Sequence, residues 1–441
     1  MVKNAKKINI ITLGCSKNLT DSEQFAFQLS NAGYKVVHNS DKTDFQIAFI
    51  NTCGFINDAK EESINTIIEL VNLKKQRDKY KNKKIKLEKI IVFGCLVQRY
   101  EKELKAEIPE VDFYVGNYNA EQLLQIVELK QDKRTAYNRI PDSAGHYAYL
   151  KIAEGCNRNC SFCAIPLIKG KYVSRKVVDI LEEARILTKT GVKELILIAQ
   201  DLCFYGYDFE KEFLLPELVN SLCEIDGIEW IRLQYLYPFL FPEKLLDVIA
   251  DNPKVCKYID IPLQHISDKV LKKMNRACTK QEIVDLLDRI RTKIPDATIR
   301  TTMLVGHPGE GKKEFNELME FVKEQRFDRL GVFTYSQEEG TKAAVDYKDI
   351  ISSAVKEKRA EILMNEQSKI SNELNANKVG KIFKVIIDSK DTDFYIGRTE
   401  YDSVEVDNEV IVNCDEKLEI GEYYDVKING FDDFDLYGEK I

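Results

Sequence analysis

No apolar run in this 441-residue chain approaches the roughly 20 residues needed to span a bilayer. The first fifteen residues, MVKNAKKINIITLGC, lack both a long apolar segment and a small-residue cleavage site, which argues against a secretory signal. A cytoplasmic protein with no membrane partner is therefore expected. Internal repeats, low-complexity tracts and a second CxxC pair are also missing, and zinc ribbons usually need that second pair. Apolar residues are not scarce: at 44% they do not limit burial, and the length calls for two or three domains.

What the chain does have is eleven cysteines. In a reducing compartment these point to metal ligands or buried thiols before disulfides. Cys156, Cys160 and Cys163 stand in GCNRNCSFCAIP, a CxxxCxxC triplet. Three thiolates on one short loop hold three corners of a four-iron four-sulfur cube, whereas an electron-transfer cluster takes four. One iron then has no protein ligand, and an open coordination position is where metal chemistry happens. A zinc knuckle and three unrelated thiols are the alternatives at this level.

The N-terminal part alternates strand-like runs with helical patterns: KINIITLGC, a helix from about Asp21 to Asn31, FQIAFINTCG, a helix from about Asp58 to Leu73, then KIIVFGC. Such alternation predicts a parallel α/β sheet. Each strand runs into a cysteine, Cys15, Cys53 and Cys95, with Gly14, Gly54 and Gly94 beside them. Parallel strands end on one edge, where ligands bind, so three thiols distant in sequence would converge there. Buried inert thiols are the alternative, cysteine being among the most buried residue types.

The fold class is α/β with an added β domain. Residues 1–135 form the N-terminal domain, and 136–146, polar with Pro141 and Gly145, form a linker. Residues 147–375 carry six strand candidates between amphipathic helices: YAYLKIAEGC, ELILIAQD, IEWIRLQYLYP, YIDIPLQH, TIRTTMLVGHPGE and RLGVFTYS. Six such units predict a partial (β/α)6 barrel with its site at the strand C-terminal ends. A long helix from about Ser352 to Asn375 leads to 376–441, whose short alternating runs predict a small antiparallel β-barrel.

Charge is uneven. From Ala376 onward there are 8 Lys plus Arg against 17 Asp plus Glu, which leaves −9 there and +2 for the remainder of a chain at −7. An acidic barrel repels RNA and attracts a basic protein, unless the acid serves solubility alone. Against this, Lys74 to Lys89 holds nine basic and two acidic residues, a solvated helix face or a contact to RNA.

The triplet, with Phe162 before its last cysteine, resembles the radical S-adenosylmethionine enzymes. Cluster domain, radical domain and terminal barrel in that order resemble the methylthiotransferases over almost the whole length, the terminal barrel being of TRAM type. TLGCSKNLTDSE, NTCGFINDAKEES, IAQDLCFYG and LQYLYP are similar to the branch acting on a ribosomal protein. That resemblance implies two 4Fe-4S clusters, one on Cys156, Cys160 and Cys163 and one on Cys15, Cys53 and Cys95, both facing one cavity. It implies S-adenosyl-L-methionine as cofactor, a flavodoxin or ferredoxin as electron donor, and methylthiolation at the β-carbon of an aspartate in small-subunit ribosomal protein twelve, met free or on the assembled subunit. Phe162, Gln200, Asp201, Arg232, Gln234, Gln264, His265, Gly306, Gly309 and Glu310 become candidate cofactor-binding residues, the GHPGE glycines by letting backbone approach adenosine closely. His307, Leu202 and Cys203 depart from the family pattern, and Cys223, Cys256, Cys278 and Cys414 are expected to be inert. A tRNA adenosine methylthiotransferase, disfavoured by the acidic barrel, and a non-catalytic iron-sulfur protein docking on ribosomes are the rival readings.

Overall fold

The computed structural model describes residues 6–80, 84–141, 145–414 and 416–441, so residues 81–83 of the basic run and 142–144 of the expected linker lie outside it. Two compact units are present: Met1–Asp142 with Ala164–Lys171, and Ser143–Cys163 with Tyr172–Ile441. Ala164–Lys171, expected in the second domain, belongs with the first unit, and residues 172–375 and 376–441, expected in separate domains, share the second. Among the described residues no helix is long and apolar enough to cross a membrane.

The first unit is a five-stranded sheet in the order β2-β1-β3-β4-β5, built from β1 (Lys7–Thr12), β2 (Lys35–His38), β3 (Ile47–Thr52), β4 (Lys89–Gly94) and β5 (Phe113–Val115). Every ladder is parallel. Helices α1 (Ser16–Asn31), α2 (Asn57–Tyr80), α3 (Cys95–Glu107) and α4 (Ala120–Ile126) connect or follow the strands. IAFINT is buried along its whole length, as a strand covered on both faces must be. Two apolar clusters flank the sheet, one around Ile50, Ile67 and Val92, the other around Ile10, Phe25 and Phe49.

Helix α1 starts five residues before the expected Asp21, directly after Cys15. Its first turns are buried through polar residues, Lys17, Asn18, Thr20, Asp21, Ser22 and Glu23, so apolar periodicity is silent there. Helix α2 runs to Tyr80 instead of stopping near Leu73. Lys74 pairs with Asp112 and Lys75 with Glu110, which ties the start of the basic run to the unit's own acids. A short α5 (Ile165–Lys169) completes the unit.

The second unit opens with β6 (Tyr147–Lys151) and a short antiparallel pair, β7 (Ala153–Glu154) with β8 (Val173–Ser174). Then follow α6 (Val177–Lys189), β9 (Glu194–Ile198), α7 (Leu215–Cys223), β10 (Trp230–Leu233), α8 (Glu243–Asp251), β11 (Tyr258–Asp260), α9 (Asp268–Lys273), α10 (Lys280–Lys293), β12 (Thr298–Val305), α11 (Lys312–Gln325), β13 (Arg329–Thr334), α12 (Lys342–Asp346) and α13 (Ser353–Ala376). Strands β6, β9 and β10 form one parallel sheet and β11, β12 and β13 another. Backbone bonds from Ile231 to the Lys254 carbonyl and from Leu236 to the Asp260 carbonyl stitch the two together. The six expected strands thus lie side by side in chain order, an open (β/α)6 barrel whose apolar core sits between strands and helices.

After α13 comes a closed five-stranded barrel, β14 (Ile382–Lys390)-β15 (Tyr395–Thr399)-β16 (Val410–Asn413)-β18 (Leu436–Lys440)-β17 (Tyr423–Phe431). Its ladders are antiparallel except the closing seam β16–β18, which is parallel. Val385, Ile387, Val410, Val412, Val426 and Ile428 fill it. Part of its acid is internal to the unit. Asp402 pairs with Arg329, Asp407 with Arg300, and Asp388 with Arg398 and His146, so these carboxylates hold the small barrel to the large one instead of forming an exposed acidic face.

Candidate functional site

In the first unit, β1, β3 and β4 are consecutive neighbours, and the β1/β3 junction is where strand order reverses, the ligand-binding crevice of open α/β sheets. Cys15, Cys53 and Cys95 stand at the C-terminal ends of those three strands. Gly14 has φ +90°, and a Cβ there would lie 2.5 Å from Cys53 Cβ and 2.9 Å from its sulfur. A Cβ on Gly54 would lie 2.8 Å from the backbone nitrogen of Leu96, the residue after Cys95. These two glycines let the three cysteine loops touch. Cys15 is exposed while Cys53 and Cys95 are buried. Burial pushes the Cys53 thiol up from its ordinary value, so iron loading there must displace a tightly held proton.

Polar residues invisible to the motif search fix these loops. Asn18 donates to the Leu13 and Thr52 carbonyls, and Asn51 donates to the Asn18 carbonyl and the Ser22 hydroxyl. Ser63 accepts from the Cys53 N–H and donates to the Cys53 carbonyl, 3.1 Å each. Ala164 and Ile168 pack against Cys95.

In the second unit the CxxxCxxC loop follows β7, and it is pinned from the α9 side. Ser161 donates its N–H to the Met274 carbonyl and its hydroxyl to the Lys273 carbonyl, while Asn275 donates to the Asn159 carbonyl. Phe162 packs with Val270, Met274, Leu304 and Tyr335, so it anchors the loop. Cys156, Cys160 and Cys163 are all half-buried, and burial pushes the Cys156 thiol up to about 11. Among the described residues no three His, Cys, Asp or Glu side chains converge on one point as a single metal ion requires. Convergence is a demand of tetrahedral zinc; the cysteines of a cube bind separate irons.

Next to this loop, Asp201 is 1% exposed and accepts from Arg158 Nε at 2.7 Å through one oxygen, while its other oxygen has no hydrogen-bond partner. Gln200 donates to Glu154 at 2.8 Å and its carbonyl oxygen is likewise unpartnered. Two buried acceptors without donors beside the triplet fit the amino group of an amino-acid cofactor. Gln264 (φ +72°) and Tyr235 (φ +67°) hold left-handed backbone just beyond β11 and β10, strain of the kind stored at binding sites. His265 accepts from the Ile266 and Ser267 N–H groups, and its Nε2 lies 3.6 Å from Glu310.

Other candidates are placed differently. Arg232 and Gln234 were expected to reach a carboxylate of cofactor or substrate. Arg232 is fully buried, donates to Glu194 at 2.8 Å and to the Glu400 carbonyl at 2.7 Å, and Gln234 donates to the Ser403 hydroxyl. Both hold the small barrel's 399–403 turn. The GHPGE glycines were expected to make room for adenosine. Gly306 (φ +81°) and Gly309 (φ +107°) instead face the stems of Lys356 and Lys273, which a Cβ would approach to 2.3 and 2.5 Å. Glu310 is occupied too, accepting from the Gly306 N–H and from Arg359. His307 is buried against Ser161 and Tyr335, and burial lowers it to about 4, which leaves it neutral. Cys203 is buried, accepts from the Tyr237 N–H, and burial pushes its thiol up. Missed by the sequence reading were Arg158, Tyr237 and Arg276, which stack beside the cysteine loop. The first stands inside the motif itself, as the Arg of GCNRNC.

Residues 7–116 match the Uncharacterized protein family UPF0004, 150–322 the Radical SAM superfamily and 379–441 the TRAM domain. Curated proteins named Ribosomal protein uS12 methylthiotransferase RimO are similar over nearly the whole length. The one from Phocaeicola vulgatus is 52% identical, covering 98% of this chain and 99% of its own. The one from Bacteroides fragilis is 52% identical with 99% of each covered, and the one from Cytophaga hutchinsonii 46% with 99% and 98%. Among solved structures, the radical S-adenosylmethionine methyltransferase TsrM from Kitasatospora setae, with cobalamin and a 4Fe-4S cluster bound, has TM-score 0.54 at 12% identity, covering 75% of each chain, a likeness of fold alone. Three family matches in the order of the domains, and relatives at half identity from end to end, establish that the chain belongs to the RimO family of methylthiotransferases within the radical SAM superfamily.

Proposed function

We propose that this chain adds a methylthio group to the β-carbon of an aspartate in small-subunit ribosomal protein twelve, using two three-cysteine cluster sites and S-adenosyl-L-methionine. The observation that carries the reading is the recurrence of three, and not four, cysteines: on one loop in the second unit, and at three adjacent strand ends in the first. An unactivated C–H bond resists acid–base chemistry near neutral pH, and such steps belong to a cofactor that the protein positions. When bound, the clusters supply the electron for reductive cleavage of S-adenosylmethionine and the site at which sulfur is carried. A one-electron donor of the flavodoxin or ferredoxin kind completes the balance.

The chain's own residues have definable tasks. Cys156, Cys160 and Cys163 hold one cluster and Cys15, Cys53 and Cys95 the other. Gln200 and Asp201 present their open oxygens to the cofactor's ammonium group, with Arg158 locking Asp201 in place. Carbon and sulfur must come within about 3 to 3.5 Å to react. The buried pairing of Asp388, Asp402 and Asp407 leaves less free acid to attract a basic substrate protein, and the rest of the acidic barrel supports that role.

The test is anaerobic reconstitution followed by incubation with S-adenosylmethionine, strong reductant and either small ribosomal subunits or unmodified tRNA. Methylthio incorporation at one aspartate of protein twelve, with about eight irons per chain, is the expected result. Incorporation only into tRNA overturns the substrate, and about four irons removes the N-terminal site.

A further inference from the structure

Arg276 is buried yet has no ion-pair partner among the described residues. Its Nη2 donates to the Pro262 carbonyl at 2.6 Å, its Nη1 points at Cys160 Sγ at 3.6 Å, and its Nε has no acceptor. One face lies over the ring of Tyr237, 4.2 Å from the centroid, and Arg158 is 4.2 Å from the same centroid. The Tyr237 hydroxyl is 3.8 Å from Cys160 Sγ. The two guanidiniums are not equivalent: Arg158 is ion-paired with Asp201, whereas Arg276 feels that carboxylate only at longer range and itself contacts a carbonyl, a ring and a sulfur.

A buried cation without a direct ion pair is costly, and it persists when an anion completes the site. The nearest place for one is Cys160. A thiolate-bound iron-sulfur cluster carries negative charge that grows by one when it accepts an electron, and nearby charge and hydrogen bonds to its sulfurs set the potential. Building on the cluster reading of Cys156, Cys160 and Cys163, we propose that Arg276, held flat on Tyr237, is the fixed counter-charge of that site and raises its reduction potential. The electron arrives from the external one-electron donor, no bond is made or broken at Arg276, and no proton moves. Arg276 is therefore a positioning residue: it stabilises the reduced state without touching substrate.

The test is a potentiometric titration followed by electron paramagnetic resonance, on full-length reconstituted protein in which Cys15, Cys53 and Cys95 are replaced by alanine so that one cluster signal remains. Arg276→Gln is expected to weaken reduction by about tenfold, a fall of about 59 mV for one electron. Arg276→Lys, which keeps the charge but loses the planar fork, is expected to fall less. Tyr237→Leu leaves the guanidinium but removes the ring that holds it, and a smaller fall in the same direction is expected. Tyr237→Leu also carries the test alone should the Gln variant take up no iron. Unshifted potentials, or an equal fall in the Lys and Gln variants, overturn the proposal. A parent protein with no four-iron signal sinks the cluster reading itself, which is a separate result from an intact signal that fails to move.

Discussion

At the scale of single residues, the first unit's site depends on glycines whose missing side chains are the space the cysteine loops use. Gly54 has ordinary backbone, so conformational freedom does not explain it; the Leu96 backbone nitrogen and Cα, each 2.8 Å from where a Cβ would stand, do. Gly54→Ala is expected to cost about 1–3 kcal/mol of stability as an overpacking change and to halve the iron content. Gly33 (φ +92°) has nothing within 4 Å of its Cβ position. Its alanine variant is expected to cost only the strain of a left-handed residue, about 1–2 kcal/mol, and to keep full iron. Urea titration with iron counting on both variants separates the site from the backbone, and equal iron in the two removes the close-packing argument. In the second unit, Asp201→Asn takes away both the open acceptor charge and the anion that Arg158 relies on. Equilibrium binding of S-adenosylmethionine is expected to weaken about tenfold or more, roughly 1.4 kcal/mol, with iron content unchanged. Unaltered affinity would remove Asp201 from the cofactor site.

At the scale of elements, what was legible in the sequence follows from which signals are local. IAFINT and ELILI announce themselves because strands buried on both faces are continuously apolar, and a cysteine at each strand end needs only the parallel topology to become a cluster of three. The start of α1 was hidden because its buried face is polar, and Asn18, Asn51 and Ser63 act through loops distant in sequence. Arg232 and Gln234 have partners that the sequence hides for a related reason. On β10 and just beyond it, at the strand C-terminal end where such barrels bind ligands, they stand where cofactor contacts are expected, but their partners, Glu400 and Ser403, lie more than 160 residues away. No pattern within the strand encodes that meeting. Arg232→Met would leave Glu194 buried with one fewer cation, although Arg398 remains 2.7 Å away. A loss of about 3 kcal/mol, at the low end for breaking a buried pair, is expected by urea unfolding of the full chain. A change below about 1 kcal/mol would show that Arg398 suffices alone.

For the molecule as a whole, the acid of the small barrel divides into carboxylates that face solvent and carboxylates that lock it to the large one, and pH separates the two. Burial alone would push Asp402 up, but Arg329, together with Lys378 and the Thr399 hydroxyl, outweighs it and holds the carboxyl below its ordinary range. Glu194 and Asp388 are held low in the same sense, against their burial, by Arg398 with Arg232 and by Arg398 with His146. A group whose folded value is depressed contributes stability that is fully present above its unfolded value, about 3.9 for Asp, and that is lost as pH falls through the folded value. Asp402→Asn should therefore be less stable than the parent at pH 7, by about 3–5 kcal/mol because Arg329 is left buried without its anion. That gap should narrow steadily below about pH 4, where the carboxyl of the unfolded parent takes up a proton, and close only below the depressed folded value. Denaturant midpoints of parent and variant across pH 7 to 3 supply the check. Solvent-facing carboxylates such as Asp393 have no buried cation to lose, so Asp393→Asn should track the parent throughout; a gap for Asp402→Asn that stays constant with pH would mean that shape at the 399–403 turn, and not charge, joins the two barrels.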